Sequence, residues 1–237
     1  MANLLKRKRI LQFRDLKEKY NQMHLILILF FFAFFFTSCK QNKAEFSCDP
    51  ALNEYVSTHQ NRLKSISISS LISSDLFFQQ AVFRSFDAVK KRDVWLQKIQ
   101  LLLETQNYSQ DEYEHVKSLL NHLHENYFVK ENIDSEANER KQFASDWINK
   151  AKNSLGWSDR QVAFVVYRLY TDPAQFDAES IVAQSKKQTT SEESTEYCFC
   201  NTSSDYCTNS LCNSGNCVLD TGCGLFWSRS CDGICLL

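Results

Sequence analysis

The chain is poor in glycine and proline and lacks the short motifs by which several enzyme classes are recognised. Its 237 residues include 5 Gly and 2 Pro. No Gly-rich phosphate loop, H-E-x-x-H or G-x-S-x-G motif occurs, so the recognisable nucleotide-binding and hydrolase signatures are absent. No C-x-x-C pair occurs and no His follows His124, although zinc fingers, zinc ribbons and redox active sites need such residues. We therefore expect a protein that is not an enzyme and that holds no cofactor or metal.

The charge distribution argues against a nucleic-acid partner. The first 38 residues contain seven Lys or Arg and two Asp or Glu, a net charge of +5. The remainder contains 20 basic and 26 acidic residues, a net charge of −6, and it has no basic stripe. Nucleic-acid binding depends mostly on Lys and Arg that neutralise phosphates. We therefore expect no nucleic-acid binding.

The basic N-terminal stretch is followed by an apolar run with the length of a signal-peptide core. Leu25–Thr37 reads LILILFFFAFFFT, whereas a bilayer-spanning helix needs about 20 apolar residues. Two small residues then precede Cys39, and this arrangement resembles a lipobox. We predict a signal peptide over 1–38 and lipid attachment at Cys39. The chain is then an exported bacterial lipoprotein, anchored by its lipid to the membrane of the cell envelope, at the outer membrane or cell surface.

Two alternatives also export the chain. Phe36 stands three residues before Cys39, where Leu is usual, so an ordinary cleaved signal peptide or a short uncleaved anchor also fits the sequence. Met23 is an alternative start, but a start there would discard the basic stretch that signal peptides carry. Met1 is therefore favoured.

Most of the cysteines lie in the C-terminal segment. Eight of the ten occur between Cys198 and Cys235, and an even, closely spaced set in an oxidising compartment indicates a disulfide framework. About 40 residues with few large aliphatic side chains cannot bury enough apolar surface to fold unaided. We therefore predict four disulfides, formed among Cys198, Cys200, Cys207, Cys212, Cys217, Cys223, Cys231 and Cys235.

The spacing leaves most of the pairing open. A bond between Cys198 and Cys200 is disfavoured, because one intervening residue gives the backbone little freedom to close it. Cys48 is then left over. It is interpreted as a free thiol, as a partner in a disulfide between two chains, or as a small buried hydrophobe.

The region from Pro50 to Ile181 follows the 3.6-residue apolar period of amphipathic helices. The patterns Ser109–Glu112 and Ser158–Gln161 are typical of capping boxes at helix starts, and Gly156 marks a break before the second. Leu76–Leu103 is expected to form one long helix or two. The core is expected to include the tryptophans Trp95, Trp147 and Trp157.

These observations predict an all-α fold in which a five- or six-helix bundle is followed by a small disulfide-rich module. The expected organisation is a signal peptide over 1–38, a tether over 39–48, the bundle over 49–183, a polar linker over 184–196 and the module over 197–237. The linker, QSKKQTTSEESTE, lacks large apolar residues. Bundle and module are therefore expected to fold separately.

Candidate chemical groups in the helical region have structural explanations. His115, His122 and His124 form the only local histidine cluster, but His124 points away from the face that the other two share, so solvated or hydrogen-bonded helix histidines explain them better than metal binding does. Glu112 and Glu114 fall in a first helical turn, where the helix dipole favours acidic residues.

The C-terminal cysteines lie in the motifs CFCNTSSDYC, CNSGNC, TGCG and CDGIC. On these motifs, residues 196–237 resemble the fulvocin C-related family of bacteriocins. The resemblance implies an antibacterial peptide, or a descendant of one, held by several disulfides at the end of a precursor or carrier. The segment contains four acidic residues and the single basic residue Arg229, so simple electrostatic attack on anionic lipid is not expected.

Two functions are weighed on this basis. In the first, the disulfide-rich module is a bacteriocin-like effector that antagonises other bacteria through a cell-surface or protein target. In the alternative, the chain is a non-enzymatic surface lipoprotein whose module binds a protein or glycan partner. Leu225, Phe226 and Trp227 are the candidate contact surface, since disulfide-held modules display hydrophobes that they cannot bury. The other interpretation is that they form the module's own miniature core.

Overall fold

The computed structural model describes residues 45–129, 137–177, 200–203, 205–207 and 211–235. Several predicted features lie outside these ranges, namely the signal peptide over 1–38, the lipid-attachment residue Cys39, the linker over 184–196, and Cys198.

Eight helical segments lie in the described part of the chain. They are α1 (Pro50–Leu63), α2 (Ile68–Ile72), α3 (Leu76–Arg84), α4 (Ala88–Thr105), α5 (Gln110–Lys117), α6 (Ala137–Asn153), α7 (Asp159–Val166) and α8 (residues 173–177). Short 3-10 helices occupy Ser118–Asn121, Glu125–Phe128 and Leu225–Trp227. None of the helices in these ranges combines the length and hydrophobicity needed to span a bilayer.

Both predicted capping boxes are confirmed. At the start of α5, the Ser109 N–H donates to Glu112 Oε2 (2.9 Å) and the Glu112 N–H donates to Ser109 Oγ (3.4 Å). At the start of α7, the same exchange joins Ser158 and Gln161. Each box satisfies two backbone donors that a helix leaves unpaired at its first turn. The local sequence is therefore enough to place these two helix starts.

The Leu76–Leu103 region is resolved as two helices. Asp87 accepts from the Lys90 N–H (2.8 Å) and caps the N-terminus of α4, which separates it from α3. The break at Gly156 is also confirmed, with φ +71° at this residue and a hydrogen bond from the Trp157 N–H to the Ala151 carbonyl (3.0 Å). A Cβ at Gly156 would meet no other atom. The positive φ alone therefore favours glycine there.

The helices bury a continuous apolar core. The three tryptophans predicted to contribute to it, Trp95, Trp147 and Trp157, are all buried. Val116, Leu119 and Leu123 follow the Ser109 capping box at helical spacing and are all buried, although α5 ends at Lys117 and 3-10 turns continue the chain. The buried face therefore extends past the end of the helix.

Lys98 of α4 is fully buried inside this core. Its Nζ donates to the carbonyl oxygens of Phe164 and Val165 at 2.5 Å each, in the last turn of α7. Those carbonyls have no partner within the helix. Burial, and secondarily the nearby Arg168, hold the pKa of Lys98 well below its usual value. The amine therefore joins α4 to the C-terminal end of α7.

The cysteine-rich segment forms an antiparallel β-hairpin. Strand β1 (Cys212–Cys223) pairs with β2 (Arg229–Cys235). The register is irregular between its two ends, and Cys200 adds an isolated bridge to Gly233. Partners across the hairpin are Cys212 with Cys235, Asn213 with Ile234, Ser214 with Gly233, Leu219 with Cys231, and Cys223 with Arg229.

The predicted all-α class, a five- or six-helix bundle with a small appended module, is wrong. The segment predicted as a loop-rich module contains two paired strands, which makes the chain a mixture of helix and antiparallel sheet. The reason is that β1 contains Asn, Asp and Gly, which are depleted in strands. Disulfides to residues far away in sequence fix the position of β1. A sequence pattern read over a short window does not include those residues.

The hairpin and the helices share one core. Residues 44–237 form one compact unit, and the turn residues Leu225, Phe226 and Trp227 belong to the same buried cluster as the helical core residues. The hairpin's own buried cluster is small and contains Leu219 with Cys223 and Cys231. The division into 49–183 and 197–237 stays a prediction, and the unfolding experiments in the Discussion test whether the two parts fold separately.

Candidate functional site

Four disulfides hold the hairpin and connect it to the start of the helical region. Three of them lie within the cysteine-rich segment and the fourth joins Cys48 to Cys217, which are 169 residues apart in sequence. The three internal bonds are Cys200–Cys212, Cys207–Cys235 and Cys223–Cys231. Cys48 is therefore neither a free thiol nor a simple hydrophobe, and it is a disulfide partner within the chain. Cys198, the remaining member of the predicted set of eight, lies outside the described residues.

The closest grouping of metal-type ligands in the described residues is made of these same cysteines. The Sγ atoms of Cys200, Cys207 and Cys212 lie within 4.8 Å of one another. All three are in disulfides, and a metal needs the thiolate form. This grouping is therefore a pair of neighbouring cross-links and not a metal site.

Arg84 at the end of α3 binds the hairpin and the N-terminal segment together. Its Nε donates to the Thr221 carbonyl (2.6 Å) and its Nη1 donates to the Phe46 carbonyl (2.8 Å). Gly222 lies against the guanidinium, and a Cβ there would come within 2.7 Å of Arg84 Nη2. The planar fork of donors thus spans two chain segments, as arginine geometry allows. Phe46 is close in sequence to Cys48, and Thr221 is close to Cys217. Arg84 and the Cys48–Cys217 disulfide therefore join the same two chain segments.

A second polar contact joins the hairpin to the end of the helical region. Arg168 and Asp205 are both buried, and Arg168 Nη1 lies 3.7 Å from Asp205 Oδ1. Asp205 also accepts from the backbone N–H groups of Asn201, Tyr206 and Gly224. Burial raises the pKa of Asp205, while Arg168 and the three N–H donors oppose that effect. The pair fills a structural role, because its hydrogen-bonding capacity is used within the protein.

The three residues predicted as a contact surface, here called the tip segment (Leu225–Trp227), are buried. Their exposed fractions are 3%, 0% and 1%. Trp227 Nε1 donates to the Tyr167 carbonyl (2.9 Å), and the Trp227 ring lies edge-on to Phe83 and Trp95 at 5.3 and 5.8 Å. The tip segment is therefore not a surface. It also does not form a core of its own, because its neighbours are helical residues.

The backbone of the tip segment is strained. Phe226 and Trp227 have φ of 53° and 56°, the left-handed region that bulky residues rarely adopt. Such conformations cost about 1–3 kcal/mol each and persist where the surroundings enforce them. Here the surroundings are the apolar core and the nearby Cys223–Cys231 bond.

His115 and His122, two of the three clustered histidines, stack on different aromatic rings. His115 stacks on Trp147, with centroids 4.3 Å apart, and its Nε2 is buried without a hydrogen-bond partner. Burial, followed by the charge of Lys150, lowers the pKa of His115 to about 4. His122 stacks instead on Phe143 at 3.7 Å. These contacts agree with the structural interpretation of both histidines.

An open cleft that the sequence did not predict lies between α5, α7 and α8. Its volume is about 230 Å³, which is below the 300–1,000 Å³ typical of small-molecule sites and suits a single side chain or ring. Apolar atoms dominate its walls, to which four aromatic residues contribute. The lining residues are Gln106, Tyr108, Glu112, Trp157, Arg160, Gln161, Phe164, Val165, Pro173, Phe176 and Asp177.

Internal contacts fix the charged residues of the cleft. Arg160 forms an ion pair with Asp177 and lies over the Phe176 ring, 5.1 Å from its centroid. Glu112 has no ion-pair partner among the described residues, and its Oε1 accepts from Trp157 Nε1 (2.7 Å). Hydrogen bonds, first from the Ser109 backbone and then from Trp157, lower the pKa of Glu112. Glu112 is therefore an ionised carboxylate held beside aromatic rings.

The sequence carried one signal for this cleft. Glu112 and Trp157 were each assigned a structural role, in a capping box and in the core, and both assignments are correct. Their contact with each other is what places them in one site.

No family model, no curated protein and no solved structure matches the chain.

Proposed function

We propose that this chain is an exported, lipid-anchored bacterial protein that remains in one piece and binds a partner through the cleft between α5, α7 and α8. It acts as a binding protein and not as an enzyme. The hairpin acts as a structural cross-link, and its tip segment is buried and does not serve as the contact surface.

The observation that carries this proposal is the Cys48–Cys217 disulfide. Disulfides persist in oxidising compartments, which supports export. The bond also attaches the hairpin to a position nine residues after the predicted lipid-attachment residue Cys39. Cleavage of the polar linker over 184–196 would therefore leave the hairpin covalently joined to the N-terminal part of the chain, and so to the membrane.

The use of buried ionisable groups supports binding over catalysis. Lys98 donates to two helix carbonyls, and Asp205 accepts from three backbone N–H groups beside Arg168. Catalytic groups with shifted pKa values usually lie in a cleft. Neither Lys98 nor Asp205 lines the cleft. Two cleft residues have shifted pKa values, and both shifts have structural causes: burial for Tyr108, and hydrogen bonds from Ser109 and Trp157 for Glu112.

The covalent attachment is tested by inserting a sequence-specific protease site into residues 184–196 of the full chain. After cleavage, non-reducing denaturing electrophoresis is expected to show one species, because Cys48–Cys217 holds the fragments together. The matched control carries Cys48→Ser and Cys217→Ser and is expected to give two species. Release of a C-terminal fragment from the first protein without reductant would contradict the proposal.

The anchor is tested separately with Cys39→Ala. Loss of acylation is expected to move the protein from the membrane fraction to a soluble or uncleaved form, since one or more acyl chains supply the membrane affinity. Unchanged fractionation together with an unchanged mature mass would reject the lipid anchor.

A second function, antagonism of other bacteria by the cysteine-rich segment, is favoured by one observation. Three disulfides lie wholly within residues 200–235, so a released segment would stay cross-linked. Its release requires both linker cleavage and reduction of Cys48–Cys217. Growth inhibition of related strains by the oxidised segment, with no inhibition by its reduced form, is the outcome that would favour this function over partner binding.

A further inference from the structure

The cleft between α5, α7 and α8 has an uneven charge distribution. Arg160 and Asp177 form an ion pair, so their charges offset each other within the wall. Glu112 then contributes the remaining formal charge among the lining residues. Glu112 has no ion-pair partner among the described residues, so its carboxylate attracts a positively charged group. We therefore expect a group that complements this wall to be a cation.

The aromatic residues favour the same kind of group. Tyr108 and Trp157 line the cleft beside Glu112, with ring centroids 6.1 Å apart and planes inclined by 23°. Burial, and secondarily Glu112, raise the pKa of Tyr108, so its ring stays neutral. Aromatic faces attract cations through their quadrupole. Among the other lining residues, Phe176 already contacts the guanidinium of Arg160 in this way.

We propose that the cleft binds an alkylammonium group, namely the end of a lysine side chain of a protein partner, against Tyr108 and Trp157 and beside the carboxylate of Glu112. This inference rests on the proposed function, that the intact chain binds a partner here. A volume of about 230 Å³ admits one side chain but not a folded segment. The partner therefore contributes a single inserted residue.

The chain offers a substitution that removes the charge of Glu112 and keeps the capping box. Glu112 accepts from the Ser109 N–H at Oε2 and from Trp157 Nε1 at Oε1. Glu112→Gln has one amide oxygen, which can accept from the Ser109 N–H, and it gives up the bond from Trp157 Nε1. Gln161 already fills the same capping-box position at the start of α7, which shows that glutamine is compatible with this motif. Asp111→Asn is the matched control, because Asp111 also lies in the first turn of α5 but does not line the cleft.

The experiment measures binding of a tetralysine peptide to the full chain in non-ionic detergent by calorimetry. The same peptide with acetylated side chains supplies an uncharged comparison, and a chitin oligosaccharide supplies a neutral glycan. Tetralysine is expected to bind and the acetylated peptide is not. Glu112→Gln is expected to weaken the affinity about tenfold and Asp111→Asn by less than about twofold. Tyr108→Leu is expected to weaken it as well.

Circular dichroism of each variant establishes that the helices are intact. Equal binding of the charged and acetylated peptides, or equal affinity for wild type and Glu112→Gln, would overturn the inference. Binding of the oligosaccharide alone would also overturn it while leaving partner binding at the cleft in place. The proposed function fails by a different measurement, the release of the hairpin after linker cleavage, so the two failures are distinguishable.

Discussion

The helical region over 50–177 and the cysteine-rich region over 200–235 are stabilised in opposite ways. The helical region buries apolar side chains from almost every helix, and none of the four described disulfides joins two of its residues. The cysteine-rich region has three internal disulfides and a buried cluster centred on Leu219. One region is held by the hydrophobic effect and the other mainly by covalent bonds.

The cysteine-rich region shows how a segment with little core of its own can be ordered. Small disulfide-rich segments usually rely on their bridges alone. This one also inserts the tip segment into the core of the larger region, where Phe226 lies 5.3 Å from the Trp95 ring and 5.8 Å from the Tyr127 ring. The helical core in turn is completed by residues that lie far away in sequence. The stabilities of the two regions should therefore be coupled.

The largest expected effect comes from removing the long-range disulfide with Cys48→Ser and Cys217→Ser. Its 169-residue separation corresponds to a loss of about 5 kcal/mol in the chain-entropy treatment. The matched control is Cys200→Ser with Cys212→Ser, whose separation of 12 residues corresponds to about 3 kcal/mol. Urea unfolding of the full chain followed by circular dichroism measures both. A larger loss in the short-range variant would contradict the chain-entropy account.

A large effect is also expected at the tip segment. Trp227→Ala should lower the free energy of unfolding of the helices by about 3–5 kcal/mol, because it opens a cavity among Phe83 and Trp95. Val218→Ala, at a hairpin position that is 62% exposed, should change it by less than about 0.5 kcal/mol. An unchanged unfolding midpoint of the helical signal in Trp227→Ala would show that the two regions are independent after all.

The smallest expected effect is a pH dependence of stability that comes from His115, a residue of the helical region. The folded protein holds the pKa of His115 near 4, below its usual 6.5, so in this range the unfolded chain binds a proton that the folded chain does not. Stability should therefore fall by about 1–2 kcal/mol as the pH decreases from about 6.5 to about 4. His115→Phe should remove this part of the pH dependence, as measured by urea unfolding at several pH values.

His122→Phe is the matched control for that measurement, since His122 also stacks on an aromatic ring but is exposed. It should keep the acid dependence of the wild type. An equal loss of acid dependence in both variants would assign the effect to histidines in general and not to the buried one.

Much of the helical region was predictable because its signals are local. A capping box needs residues three positions apart, and Ser109 with Glu112 and Ser158 with Gln161 meet that condition. The buried stripe and the turn at Gly156 are also encoded within one or two helical turns. The end of α5 has no such local signal, because the same apolar spacing continues through the 3-10 turn after Lys117.

The candidate site was less predictable, because each of its contacts joins distant residues. Glu112 and Trp157 are 45 positions apart, and only the packing of α5 against the turn before α7 makes them neighbours. Arg160 and Asp177 lie on separate helices in the same way. The sequence identified the role of Glu112 at its own helix start, but not the aromatic cleft beside it.

The amino-acid sequence was enough to place two helix starts, at Ser109 and Ser158, to assign three tryptophans to the core, and to indicate that the C-terminal cysteines form cross-links. Those features depend on short-range spacing and on the chemistry of single residues. The tertiary structure decided the hairpin pairing, the partner of Cys48 and the burial of Phe226 and Trp227. An apolar strip or a cysteine carries no local information on which distant surface will cover it, since the free energy of burial depends on contacts that form only when the whole chain folds.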